Sequence, residues 1–113
     1  MEAFARKFEG RPESNLLNMI GLFDHPATSR EISALRNRPT VLGITDLIRW
    51  LSDAEWEEVT TNLRSARLIA PQSYHDLGEL DAHPLVREHF GDRLRNANIV
   101  SWKQGNSHLF EFL

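Results

Sequence analysis

Cysteine is absent from this sequence of 113 residues. Its absence excludes disulfide bonds and metal sites built on thiolates, and it agrees with a reducing compartment. The longest apolar runs span only a few residues, far short of the ~20 needed to cross a bilayer. The net charge is −3, so the chain has no general attraction for nucleic acid or anionic lipid. We therefore expect a cytoplasmic protein that does not associate with a membrane.

A chain of this length, with 41% hydrophobic residues, is sufficient for one domain with a buried core. Apolar residues recur at helical spacing through most of it, which predicts a mainly α-helical protein. A first helix is predicted from Pro12 or Glu13 to about Phe23. Proline is favourable at the first helical position, and the apolar residues of this segment form one face.

Two capping boxes mark further helix starts, because in each a hydroxyl and a carboxylate three residues later can bind each other's backbone N–H. The two pairs are Thr28 with Glu31 and Ser52 with Glu55. The first box predicts a helix that ends before Pro39, since proline disfavours helix in the residue before it. The second predicts a helix that runs to about Arg67. A short helix is predicted between them, over residues 45–51.

Short apolar runs at 68–70 and 80–82, joined by a polar loop at 71–79, predict a small β-hairpin. The order helix, helix, helix, hairpin, helix is that of a winged helix, with the loop as the wing. The helix 53–67 then takes the position of a recognition helix. We therefore expect a mainly α winged-helix fold, a helical bundle with a two-stranded β-hairpin wing.

Two more helices are predicted after the hairpin. Pro84 is a favourable first residue for one of them, and the chain breaks at 96–98. The last helix is predicted over about 99–113. The predicted organisation is thus a winged-helix domain with an N-terminal lead-in over 1–98, followed by a C-terminal helix over 99–113 as the start of a linker.

Many winged helices bind DNA, but the charges of this chain argue against nucleic acid as a partner. Reading DNA requires arginine and lysine toward phosphates and base edges. Residues 53–58, at the start of the predicted recognition helix, include four carboxylates, and the predicted wing has neither lysine nor arginine. The one local basic excess is a candidate contact patch of Arg30, Arg36 and Arg38. Three arginines on a helix are more often a solvated face.

Catalytic motifs are not found. The sequence has no P-loop motif, no Gly-x-Ser-x-Gly elbow and no cysteine nucleophile. None of its five histidines has a partner at the spacing of a helical metal site, so we expect surface or loop histidines and no metal. The histidines are His25, His75, His83, His89 and His108. We predict that the chain is not an enzyme.

Residues 80–90 predict a short strand that turns directly into a helix, with His83 at the junction. Helix N-termini carry unpaired N–H groups and partial positive charge, which suits them to anions. A histidine there adds a hydrogen-bond donor or a positive charge toward a phosphate. The alternative interpretation of His83 is a helix-cap residue that binds no ligand.

Five segments carry a family resemblance: LFDHPA at 22–27, GIT at 43–45, LSDAEW at 51–56, LRSARLI at 63–69 and DAHPLVREHF at 81–90. In this order they resemble the winged-helix region of bacterial NACHT/NB-ARC-like STAND signal-transduction ATPases, over about residues 10–113. In that class the region follows a nucleotide-binding domain and precedes tetratricopeptide or other sensor repeats. The resemblance implies a regulatory module of a molecular switch.

The resemblance also implies a role for one residue. His83 lies where the Met-His-Asp motif of plant NB-ARC immune receptors has the histidine that contacts the β-phosphate of ADP and holds the resting state. Ala82 takes the methionine position and Pro84 the aspartate position, so the aspartate is missing. The implied partners are a P-loop nucleotide-binding domain, in cis or in trans, and a helical repeat sensor domain. The parent protein binds ADP or ATP, and this chain holds no cofactor itself. The alternative is a free-standing winged-helix module that binds protein, or DNA, through the arginine patch.

Overall fold

The computed structural model describes residues 6–112, which form five α-helices. In chain order they are α1 (Pro12–Ile20), α2 (Ser29–Asn37), α3 (Asp53–Ser65), α4 (Pro84–Ala97) and α5 (Ile99–Phe112). Within this range, no helix has the length and apolar character required to cross a membrane. Leu113, the predicted end of the last helix, and residues 1–5 of the predicted lead-in lie outside the described residues.

Both predicted capping boxes are confirmed. At the start of α2, Thr28 Oγ1 accepts a hydrogen bond from the Glu31 N–H (3.2 Å), and Glu31 Oε1 accepts one from the Thr28 N–H (3.1 Å). At the start of α3, Ser52 and Glu55 make the same two bonds at 3.2 and 3.0 Å. The boxes satisfy N–H groups that the first helical turn leaves unpaired, so these starts are determined locally.

The predicted winged helix is wrong, because residues 6–112 contain no strand or sheet and therefore no hairpin wing. An isolated antiparallel bridge joins Ala27 to Leu80, and each donates its N–H to the other's carbonyl at 2.8 Å. The two predicted strands approach each other through the Ala70 N–H, which donates to the Asp81 carbonyl at 2.8 Å. This single bond does not extend into a ladder.

Three local features prevent a ladder between these segments. Pro71 has no N–H to donate. Leu80 bonds through both of its backbone groups to Ala27 instead. The Ala82 N–H donates to the Asp81 carboxylate at 2.8 Å. Because these backbone groups are already committed or missing, the chain between α3 and α4 remains a loop.

The predicted helix over 45–51 is also wrong, and the chain there forms a series of turns. Thr45 Oγ1 accepts a hydrogen bond from the Val41 N–H (2.8 Å), and Asp46 Oδ1 accepts one from the Gly43 N–H (2.7 Å). The bonds that follow are of mixed spacing, because the Arg49 and Ile48 N–H groups both donate to the Thr45 carbonyl (2.9 and 3.2 Å). A regular helix requires a succession of bonds to the fourth residue before, which apolar spacing alone does not guarantee.

The core lies where α1 packs against α3 and α4, and where α5 packs against α2 and α4. Every residue from Asn15 to Ile20 of α1 is buried. The core of the described chain also includes Phe8, Phe23, Ala27, Ile32, Leu35, Val41, Ile44, Ile48, Val59, Leu63, Leu68, Ile69, Leu80, Ala82, Phe90, Leu94 and Leu109. Leu109 of α5 belongs to this core, and the single residue Asn98 separates α4 from α5.

Candidate functional site

His83 is the N-cap residue of α4 and is exposed at the surface. Its ring nitrogen Nδ1 accepts a hydrogen bond from the Leu85 backbone N–H at 3.1 Å. A neutral imidazole has one donor and one acceptor nitrogen, so acceptance at Nδ1 places the ring proton on Nε2. The other ring nitrogen, Nε2, is therefore the donor.

A groove of about 820 Å³ lies beside His83 and is called the His83 groove below. It is lined by Arg64, Arg67, Leu68, Ile69, Ala70, Pro71, Gln72, Asp81, Ala82, His83, Pro84 and Arg87. The lining combines an apolar segment from the loop after α3 with three guanidinium groups and one carboxylate. Its volume lies within the range of roughly 300–1,000 Å³ that is usual for ligand sites.

Two of the three arginines are held by the backbone of the loop. Arg87 Nε donates to the Ala82 carbonyl (3.0 Å), and Arg64 Nε donates to the Ala70 carbonyl (3.3 Å). Arg87 Nη2 also lies 3.4 Å from Asp81 Oδ1, so these two opposite charges are paired. The remaining arginines leave the groove with a net positive charge.

Arg67 has a φ of 59°, and it is the one non-glycine residue with a positive φ among residues 6–112. It follows the C-cap of α3, where glycine is the usual residue. The Leu68 N–H donates to the Leu63 carbonyl (3.0 Å) and the Arg67 N–H to the Arg64 carbonyl (2.9 Å), which is the Schellman arrangement. Such a backbone conformation costs about 1–3 kcal/mol for a non-glycine residue and tends to occur at functional sites.

The arginines of the predicted contact patch are not displayed together. Arg36 is half-buried, and its guanidinium lies 4.3 Å from the centroid of the Trp56 ring. Arg38 Nη1 lies 3.1 Å from Glu111 Oε2. Arg30 is exposed. Two of the three charges are therefore engaged within the fold, and a role of this patch in partner binding stays a prediction.

A separate cluster of ionisable side chains surrounds His25. Its Nδ1 lies 2.8 Å from Asp24 Oδ1, and its Nε2 lies 3.2 Å from Glu31 Oε2. Glu31 is buried and belongs to the capping box of α2, so the cluster stabilises a helix start. Over the described range, no group of three or more histidine, aspartate or glutamate side chains is arranged to hold a metal ion.

The sequence analysis identified His83 but missed the arginines around it. Arg87 lies four residues after His83, a spacing that places two residues on one side of a helix. That signal was present in the sequence. Arg64 and Arg67 are remote in sequence and reach His83 only because the loop after α3 returns to the start of α4.

No family model, no curated protein and no solved structure matches this chain.

Proposed function

We propose that the chain is a helical regulatory module of a nucleotide-dependent switch of the STAND class, in which His83 Nε2 donates a hydrogen bond to the β-phosphate of ADP. A P-loop domain in cis or in trans holds the ADP, and a helical repeat domain senses the signal. The chain performs no catalysis, holds no cofactor of its own and works in the cytoplasm. The observation that carries the proposal is the bond at His83 Nδ1, which commits Nε2 to donating.

Phosphate oxygens that carry charge accept hydrogen bonds, so a phosphate contact must present a donor. Because Nδ1 of His83 accepts the Leu85 N–H, the ring presents its proton at Nε2. The N-terminus of α4, a helix of 14 residues, adds partial positive charge at the same place.

The arginines of the His83 groove support the same ligand chemistry. Guanidinium groups make strong, charge-assisted hydrogen bonds to phosphate. Arg64 and Arg67 add positive charge that the single carboxylate, Asp81, does not balance because it is paired with Arg87.

A switch requires a contact that differs between its two states, since a ligand shifts an equilibrium only through differential affinity. In the ADP state, the His83 bond joins this module to the nucleotide domain. Exchange for ATP, with movement of this module relative to the nucleotide domain, breaks that bond. One hydrogen bond to a charged group contributes about 1.5–3 kcal/mol, which shifts the balance between the states by roughly tenfold or more.

Two substitutions test the phosphate contact and differ in whether they retain the helix cap. His83→Asn keeps a side-chain oxygen that accepts the Leu85 N–H but removes the remote ring donor, whereas His83→Ala removes both. With the P-loop domain present, we expect each to raise the dissociation constant for ADP about tenfold, which corresponds to ~1.4 kcal/mol. The measurement is an ADP titration of the intact switch.

His75→Asn is the matched control, because His75 is an exposed loop residue outside the His83 groove. This variant should bind ADP like the wild type. Equal ADP affinity of the wild type and His83→Asn would contradict the phosphate contact. In the intact switch, His83→Asn should accelerate ADP release, and unchanged retention of ADP would contradict the sensor role.

A further inference from the structure

A second groove, of about 510 Å³, shares Arg67 with the His83 groove and is called the Lys7 groove below. It is lined by Lys7, Phe8, Arg11, Asn62, Ser65, Ala66 and Arg67. This lining contains three cations and no carboxylate. The two grooves therefore form one continuous surface on which Arg67 is the common residue.

This surface concentrates positive charge on a chain whose net charge is −3. The two linings include five of the 13 lysines and arginines, against one carboxylate, Asp81. Lys7, Arg11 and Arg67 are exposed, and Arg11 Nε lies 3.5 Å from the buried Glu13 Oε2. Clustered charge of one sign steers and orients a partner of the opposite sign. The surface thus fits an extended anionic ligand.

The left-handed backbone at Arg67 puts the central cation at the junction of the two grooves. Glycine would adopt this conformation at lower cost, but it would leave the junction without a charge. An arginine in this conformation lowers the stability of the turn but places a positive charge at the junction of the two grooves, as a surface that binds anions requires.

The apolar parts of the surface distinguish between classes of anion. Proteins that bind single-stranded nucleic acid stack bases on exposed aromatic side chains. Phe8 is the one Phe, Tyr or Trp in either lining, and it is buried with 3% of its surface exposed. Pro71 and Pro84 are exposed instead, with Ile69 beneath them, which suits an aliphatic side chain.

We propose that an acidic peptide segment of a partner protein binds across both grooves. Its carboxylates meet Lys7, Arg11 and Arg67, and an aliphatic side chain between them packs on the apolar lining of the His83 groove. This goes beyond the nucleotide contact, because Lys7 and Arg11 take no part in that contact. It also implies competition, since the peptide and ADP both use the His83 groove.

The test uses a fluorescein-labelled peptide in which two pairs of glutamates flank a leucine, with binding to the full chain measured by fluorescence anisotropy. We expect saturable binding at about 50 mM salt that weakens at least about tenfold at about 500 mM salt, because salt screens exposed charges. Arg67→Glu should weaken binding about tenfold, and Lys7→Glu about threefold, since Lys7 lines one groove and Arg67 lines both.

Two further variants keep the test decisive. Arg67→Gly suits the left-handed backbone, so it removes the charge while keeping the turn, and it should also weaken peptide binding. Lys103→Glu is the matched control, because Lys103 is exposed on α5 outside both grooves and the charge change is the same. It should change the affinity less than about twofold.

Three outcomes would overturn this proposal. The first is an absence of saturable peptide binding. The second is an equal loss of affinity in Arg67→Glu and Lys103→Glu. The third is that an oligothymidylate of similar charge binds as tightly as the peptide and depends on Arg67 in the same way. The last outcome would assign the surface to nucleic acid. Failure of the ADP contact would give a different result. His83→Asn would then bind ADP like the wild type, while peptide binding would still depend on Lys7.

Discussion

Gly21 and Gly91 lie in direct contact where the end of α1 meets α4. A Cβ atom on Gly91 would lie 2.6 Å from the Gly21 carbonyl oxygen, and one on Gly21 would lie 2.5 Å from the Gly91 nitrogen. Both contacted atoms belong to the backbone, so no side chain can rotate away to make room. The absence of side chains at these two positions lets α1 and α4 pack closely. Because α4 begins at Pro84, this contact also positions His83 and its groove.

Gly91→Ala should lower the free energy of unfolding by about 1–3 kcal/mol, despite the better helix propensity of alanine, because the added methyl group overpacks a backbone contact. Gly105→Ala in α5 is the comparison. Its Cβ would meet the ends of the Ile44 and Leu22 side chains at 2.8 Å, and these can shift. Urea unfolding should show the smaller loss for Gly105→Ala. Equal stability of Gly91→Ala and the wild type would show that α1 and α4 separate easily.

Arg67→Gly should raise the free energy of unfolding by about 1 kcal/mol, because glycine adopts the left-handed conformation at Arg67 without the cost that a side chain imposes. Ser65→Gly, two residues earlier and inside α3, is the control and should lower stability by a fraction of 1 kcal/mol. Both are measured by urea unfolding. A destabilised Arg67→Gly would mean that the arginine side chain makes compensating contacts within the fold.

Trp56 and Arg36 should show an energetic coupling, because the guanidinium lies 4.3 Å from the centroid of the indole ring. Trp56 is only half-buried, so Trp56→Ala should cost about 2 kcal/mol, less than the loss of a fully buried aromatic. A double-mutant cycle with Arg36→Met isolates the pair, and we expect a coupling of about 0.5–2 kcal/mol. Strictly additive losses would show that the ring and the cation act independently.

The hydrogen bond between His25 and Asp24 should make stability depend on pH. This bond raises the pKa of His25 above its usual 6.5, and it lowers the pKa of Asp24 below its usual 3.8. The stabilisation from His25 is fully present below pH 6.5 and is lost as the pH rises through the raised pKa. The stabilisation from Asp24 is present above pH 3.8 and is lost as the pH falls through the lowered pKa.

The difference in unfolding free energy between the wild type and His25→Asn should therefore be largest between about pH 4 and pH 6.5 and smaller near pH 8.5. Urea unfolding across this range measures it. A His25→Asn difference that grows from pH 6 to pH 8.5 would contradict the sign derived from the raised pKa.

The starts of α2, α3 and α4 were predictable because the signals that set them lie within three or four residues. The pairs Thr28–Glu31 and Ser52–Glu55 close their own hydrogen bonds, and Pro84 is suited to the first position of a helix. Short-range contacts of this kind form whatever the rest of the chain does. The same local logic placed His83 at a helix start.

The hairpin wing was not predictable in this way, because its formation depended on partners far away in the chain. Leu80 could pair with the segment at 68–70 or with Ala27, and it pairs with Ala27 across 53 positions. Apolar composition favours a strand at Leu80 but does not specify the partner. The predicted helix over 45–51 was also wrong, since its apolar spacing suits both a helix and the series of turns that the chain forms there.

The sequence by itself determined where α2, α3 and α4 begin and which histidine precedes α4, since these follow from capping boxes and proline over a few residues. Only the tertiary structure decided that Arg64 and Arg67 join His83 in one groove, that Arg36 and Arg38 are engaged within the fold, and that Gly21 meets Gly91. These relationships arise from burial of the common core, which brings distant segments together at distances that local sequence does not encode.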